Sequence, residues 1–265
     1  ISLKALSKDS VNLGIKRLSL DEKMSGFSLK KMSLKLVANN KQTSIDNFAI
    51  ELPETSLKMD TIHLVYDSLQ AFEHFAEEVH FSFRTLPSQI TLKDISPFVP
   101  VLSHFKEPIT LDMEVKGTVD QLNCSHLEIV SEEQQFRLRG DVSLQDLSHP
   151  QDAYVYGTLS ELSANTRGVG FLVRNLNPDY NGVPPILERL GNISFRGEIS
   201  GYFTDLVTYG QLRTSLGDVK TDLKLSADKS KGLFAYSGAV KTTDFKLGEL
   251  LANEQLGEIT FNLDV

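Results

Sequence analysis

Tryptophan is absent from the 265 residues, and cysteine occurs once, as Cys124. A lone cysteine permits no intramolecular disulfide, no CxxC redox pair and no cysteine-based metal site, so it leaves the redox compartment open. No apolar run approaches the about 18 residues that a membrane helix needs. Nor does a basic start followed by an apolar stretch mark a signal peptide. Basic residues are in deficit, with 27 Lys and Arg against 35 Asp and Glu for a net charge of -8. They never gather into a patch with interleaved aromatics, which excludes nucleic acid as the expected partner. Hydrophobic residues, at 40%, are a little sparse for a compact globule, while 23% charged residues is ordinary and argues for a folded chain.

The signatures of chemistry are missing as well. There is no G-x-S-x-G elbow, P-loop or G-x-G-x-x-G. Gly168-Val169-Gly170 precedes Phe171-Leu172-Val173 without a third glycine and reads as a turn. Of the six histidines, only His74, near Glu77, Glu78 and His80, approaches a ligand cluster. It lacks the H-E-x-x-H spacing and reads as a solvated face near a turn or short helix. Carboxylates are plentiful but alternate with apolar residues, which places them on the wet side of strands rather than in acid/base pairs. The expectation is a protein with no catalytic residue, no metal and no cofactor.

What the chain does have is alternation with a period of two, which in a sheet puts every second side chain on one face. Ile109, Leu111, Met113 and Val115 alternate with Thr110, Asp112, Glu114 and Lys116. The same pattern holds for Phe136, Leu138, Val142 and Leu144, and for Ile193, Phe195 and Ile199. It recurs in Leu223, Leu225 and Ala227, and in Ile259, Phe261 and Leu263. These segments predict strands with one dry and one wet face. The wet face should carry Asp112, Glu114, Arg196, Glu198, Lys224 and Asp264. Earlier in the chain the pattern is rougher, and its phase slips between Leu57/Met59 and Ile62/Leu64, which predicts a bulge near Asp60 and Thr61.

Helical signals are few: Ser96 to Phe105, about Pro184 to Leu190, and Leu247 to Leu251. So little helix cannot cover so many apolar strand faces. Those faces must meet another sheet, the same sheet folded over, or a bound apolar ligand. The chain also repeats itself: VKGTV (115–119) matches FRGEI (195–199), RGDVSL (139–144) matches LGDVKT (216–221), and YGTLSEL (156–162) matches SGAVKTT (237–243). The glycine pairs Gly117/Gly197, Gly140/Gly217 and Gly157/Gly238 keep an offset of about 80 positions, which predicts stacked multi-strand units and an elongated product. Alternation alone fits either a closed β-sandwich or a ligand-holding groove.

The stretch Leu187 to Leu225, LERLGNISFRGEISGYFTDLVTYGQLRTSLGDVKTDLKL, resembles the repeated segments of the AsmA/TamB family, in its Bacteroidota-type versions. Ile95 to Leu102 followed by Val115 to Leu122 is similar to that family's short-helix-then-strand unit. Phe245 to Leu251 is similar to the phrase with which it begins a new repeat. Gly26 to Lys30 and Phe48 to Pro53 resemble its AsmA-type strands. The resemblance spans most of the chain and is strongest from about Ile95 onward. It implies an all-β fold: an elongated, repeat-built sheet curled into a taco-like open groove with a few short helices, a closed β-sandwich being the alternative. On that reading residues 1–94 form an AsmA/TamB-like β region, 95–176 a β repeat unit led by a short helix, and 177–265 a second unit continuing beyond Val265. A start at Ile1 without Met and a stop inside an alternating run read as a piece of a longer protein.

The resemblance further implies a non-enzymatic periplasmic part of an inner-membrane-anchored protein in a Gram-negative bacterium, carrying phospholipid between the two membranes. The alternative it implies is a chaperone or scaffold for outer-membrane protein assembly. The partners would be phospholipid acyl chains and, through other parts of the parent chain, an outer-membrane barrel protein of TamA type. By strand parity the groove would be lined by Ile109, Leu111, Met113, Val115, Leu138, Val142, Leu144, Ile193, Phe195, Ile199, Phe203, Leu223, Leu225, Ile259, Phe261 and Leu263.

Overall fold

The computed structural model describes residues 2–7, 10–24, 26–97, 100–149, 152–176, 182–202, 205–228 and 233–264. They form two compact units, 1–132 and 133–265. The first holds β1 (Ser2–Ser7), β2 (Ser10–Asp21), β3 (Ser28–Asn39), β4 (Gln42–Glu51), β5 (Ser56–Met59), β6 (Ile62–Val65), β7 (His80–Ile90), β8 (Ile109–Gly117) and β9 (Gln121–Ser131). The second holds β10 (Phe136–Gln145), β11 (Tyr154–Ala164), β12 (Ile193–Tyr202), β13 (Asp205–Thr214), β14 (Gly217–Asp228), β15 (Leu233–Lys246) and β16 (Glu258–Asp264). Within each unit the strands pair antiparallel with their neighbours in chain order, except that β5 and β6 both lie between β4 and β7. The sheet is open: among the described residues no pairing closes it into a barrel. The expected all-β class, with a few short helices, is what the chain adopts.

The phase slip at Asp60 and Thr61 takes the form of a two-residue break between β5 and β6. There the Asp60 N–H bonds to the Arg84 carbonyl at 2.9 Å and the Thr61 hydroxyl to Asp46 Oδ1 at 2.9 Å. The neighbouring strand β4 is irregular at the same level, with Asn47 at φ 53. Because both strands shift together, Ile45 stays opposite Ile62 and Ile50 opposite Leu57. His126 in β9 and Asp244 in β15 are similarly left-handed, at φ 54 and 51, and mark places where apolar side chains change parity.

Four helices are described: α1 (Phe75–Glu78), α2 (Thr166–Leu176), α3 (Pro185–Arg189) and α4 (Leu247–Leu251). The last two lie where the sequence signals put them. The signal at Ser96 to Phe105 corresponds to 3-10 turns at Leu92–Ile95 and Pro100–His104, with residues 98 and 99 outside the described set. Gly168-Val169-Gly170 is not a turn but the interior of α2. Asn165 Oδ1 accepts the Gly168 N–H at 2.9 Å near the start of that helix. A β-carbon on Gly168 would collide with the Gln135 carbonyl, so glycine is what lets α2 close on the sheet. Val169 and Phe171 are buried there, and Phe171 stacks on Phe136 with ring centroids 5.7 Å apart.

The glycine pairs lie four strands apart, in β8/β12, β10/β14 and β11/β15, but Gly117 and Gly197 are not at equivalent places. Gly117 ends β8 at φ 127, opposite Leu122, whereas Gly197 is interior to β12, opposite Gly210. The counterpart of Gly117 is Gly201, at φ 129 and opposite Leu206. A β-carbon on either would strike the carbonyl four residues on. Helical connectors recur at the same interval: the 3-10 turns between β7 and β8, α2 and α3 between β11 and β12, and α4 between β15 and β16.

Candidate functional site: an open apolar sheet face

Residues opposite each other in an antiparallel pair project to the same side. Following the register across the second unit therefore gives straight rows of side chains. One runs Leu138–Leu162–Phe195–Leu212–Val219–Thr242–Phe261 through seven strands. Beside it run Gly140–Leu159–Gly197–Gly210–Thr221–Val240–Leu263, then Val142–Gly157–Ile199–Thr208–Leu223–Gly238, then Leu144–Val155–Gly201–Leu206–Leu225. The candidates Leu138, Phe195 and Phe261 thus share one row, Val142, Ile199 and Leu223 another, and Leu144 and Leu225 a third. Leu263 lies in the row that contains three glycines. Ile193 sits opposite Ala164, which is opposite Phe136, and Ile259 sits opposite Phe245. Phe203 lies outside the described residues.

In the first unit the candidates all belong to β8. Ile109 faces Ile90, Leu111 faces Ile129, and Val115 faces Phe83 and Cys124. At Met113 the β7–β8 ladder is interrupted. The hydroxyl of Thr85, which is fully buried, takes the place of a backbone acceptor and receives the Met113 N–H at 2.8 Å.

Sequence parity missed Leu206, Leu212, Val219 and Val240. In β13 the opposite face carries Val207 and Tyr209, both exposed, so the alternation is not between apolar and polar residues. The usable signal was Gly210, which shares parity with Leu206 and Leu212.

These rows are not sealed. Among the sixteen candidates, Val115 is buried, while Leu225 and Leu263 are 40% and 49% exposed. The other described candidates are half-buried. Among the described residues, the half-buried candidates of these rows leave apolar strand face in contact with solvent.

The other face is charged. Arg196, Glu198, Lys224 and Asp264 are exposed, as parity requires, and Glu114 is half-exposed. Asp112 is the exception, its side chain only 17% exposed. Its carboxylate lies 3.5 Å from Arg84 and 3.8 Å from His126, the bulged residue of β9 that closes over it. A hydrogen bond and the charge of Lys116 hold the Glu114 carboxyl below its usual range, and Lys224 with Ser226 does the same for Asp205. On this face of the second unit a depression of about 490 Å³ is flanked by the register row Arg196–Gln211–Lys220–Lys241 and its neighbour Glu198–Tyr209–Asp222–Ala239. Cations line one side of it and carboxylates the other, with Gly197 and Gly210 between them.

Among the described residues no three His, Cys, Asp or Glu side chains converge as metal ligands, and His74, Glu77, Glu78 and His80 are all exposed. No described helix is long and apolar enough to cross a membrane. Comparison with protein-family models, curated proteins and solved structures finds no match to the chain.

Proposed function

We propose that the chain is a non-catalytic lipid-carrying protein of the bacterial envelope, whose apolar sheet face holds phospholipid acyl chains in transit across the periplasm. The observation that carries this reading is the set of apolar rows that cross the second unit and stay open to solvent. With strands about 4.8 Å apart, the seven-strand row is about 29 Å long. One acyl chain occupies half the hydrocarbon thickness of a bilayer, about 15 Å. A row of that length receives a whole acyl chain and leaves room to advance. Each methylene transferred from water contributes about 0.8 kcal/mol, so contact along the row gives useful affinity without a catalytic group. Motion along it exchanges one apolar neighbour for the next. The headgroup stays in water while the tails touch the row. The resemblance to AsmA/TamB repeats supports the same reading, with the taco-like groove as its architecture.

The test is photocrosslinking in cells, with the reactive group at Leu225 on the apolar face and at Lys224 on the charged face as control. Lipid captured at Leu225 and not at Lys224 supports the proposal. A folded protein that captures no lipid at Leu225, or captures equally at both, overturns it.

A further inference from the structure

The connector between β6 and β7 reverses the usual placement of large and small apolar residues. Leu69 and Phe72 are three apart in the 3-10 helix Leu69–His74, a spacing that stacks side chains in one line, and Phe75 follows as the first residue of α1. The line faces outward: Leu69 is 61%, Phe72 41% and Phe75 39% exposed. The residues turned inward are the small Ala71 and Val79, which pack with Tyr66 and Leu64.

This segment is held in place. Tyr66 shares a hydrogen bond with the Thr43 hydroxyl at 2.9 Å and donates to the Asn39 carbonyl at 2.7 Å. The Phe72 ring meets Tyr66 edge-on with centroids 4.8 Å apart, and Phe75 lies 6.0 Å beyond it. Lys41 Nζ binds the Asp67 carbonyl at 2.6 Å, and the Asp120 N–H reaches the Ala76 carbonyl at 3.1 Å. The apolar line is therefore preorganised, which lowers the ordering cost of binding.

The segment's own charges are of one sign, and the cation set against it, Lys41, lies at its start on the Asp67 carbonyl. From Tyr66 to His80 the chain carries Asp67, Glu73, Glu77 and Glu78 and no Lys or Arg. All four carboxylates are exposed and form no ion pair among the described residues. An aromatic line rimmed by unpaired negative charge is complementary to an apolar stripe rimmed by positive charge. It also repels an anionic membrane surface.

We propose that the β6–β7 connector is a docking platform for a basic amphipathic segment of a partner protein, with Phe72 and Phe75 as its anchors. This surface is independent of the lipid-carrying rows.

The test uses the full chain and two fluorescent helical peptides, one of Leu and Lys and one of Leu and Glu, followed by anisotropy. The Leu/Lys peptide should bind, and the Leu/Glu peptide should not. Phe72→Ser with Phe75→Ser, and separately Glu73→Gln with Glu77→Gln and Glu78→Gln, should each weaken binding at least tenfold. The two Phe substitutions remove the ring contact with Tyr66 and should lower the melt, so circular dichroism verifies that the sheet is retained, whereas the Glu substitutions should leave the melt unchanged. The proposal is overturned if the Leu/Lys peptide does not bind, if either variant binds it as the unaltered chain does, or if both peptides bind alike. It is equally overturned if phosphatidylcholine/phosphatidylglycerol vesicles bind and the two Phe substitutions abolish that binding while sparing the peptide.

Discussion

The ring of Phe195 lies across Gly210 on the neighbouring strand, so close that a β-carbon there would stand 2.6 Å from its Cζ and 2.7 Å from its Cε2. A β-carbon on Gly197 would stand 2.8 Å from the same Cζ. The aromatic ring covers two glycines that offer no side chain of their own. A β-carbon on Gly210 would also strike the Arg196 carbonyl oxygen. Gly210→Val should therefore lower stability by about 1–3 kcal/mol through overpacking against both the ring and the backbone. Urea unfolding checks this. In a Phe195→Ala background only the ring's share is relieved, so the same substitution should still destabilise, by less.

Thr85 is an acceptor in the middle of a dry region. Thr85→Val keeps the shape but strands the Met113 N–H, which should cost about 1–3 kcal/mol. Thr85→Ser, which retains the hydroxyl, should recover most of that in the same unfolding measurement.

Ala252 ends α4 in the left-handed region, at φ 51 and ψ 44. An alanine there costs about 1–2 kcal/mol relative to a relaxed backbone. Ala252→Gly should raise the urea midpoint, and a lowered midpoint would refute the assignment of strain.

The acid limb of the stability curve should depend on Glu114 and Asp205. Both have carboxyls held below their usual values of 4.5 and 3.8, chiefly by hydrogen bonds from Lys116 and from Lys224 respectively. A depressed carboxyl contributes stability that is fully present above its unfolded value and is lost as pH falls through its lower folded value. Urea midpoints measured from pH 6 down to pH 3 should thus fall less steeply in Glu114→Gln and Asp205→Asn than in the unaltered protein. Both pairs are exposed, so the effect should shrink in high salt.

For lipid carriage, Leu225→Arg should deplete the phospholipid that copurifies with the protein, as read by mass spectrometry of an extract. Lys220→Glu, on the charged face, should leave the load unchanged. Leu225 is exposed enough for the arginine head to reach water without unfolding the sheet, and circular dichroism verifies that. Val115→Arg is not a suitable probe. Val115 is 2% exposed, and a charge forced in there would unfold the first unit instead of blocking a path.

Much of the fold was legible because alternation is a direct consequence of strand geometry. Ile193, Phe195 and Ile199 fell in one dry phase, and they occupy it. Legibility failed where a strand is apolar on both sides, as at Val207 and Tyr209, which concealed Leu206 and Leu212. It failed again at bulges: nothing about Asp244 as a residue announces that Thr242 and Phe245, three apart, face the same way. Gly168 and Gly170 argued against helix by propensity, and α2 formed because tertiary packing rewarded the missing side chain of Gly168. The matched glycines lie four strands apart, but in the pair Gly117/Gly197 the match is four residues off in register. Gly201, the true counterpart of Gly117, sits only four positions from Gly197, and a five-residue match cannot distinguish the two.

Within the second unit, the helical connectors after β11 and β15 bound a block of four strands, β12 to β15. Four is an even number of antiparallel strands, so the last strand of a block hands the chain on at the side from which the first strand received it. A gene that duplicates or deletes such a block therefore lengthens or shortens every row by four strands without changing which side chains share a face. Row length becomes a matter of copy number, with no new packing problem to solve at each added block.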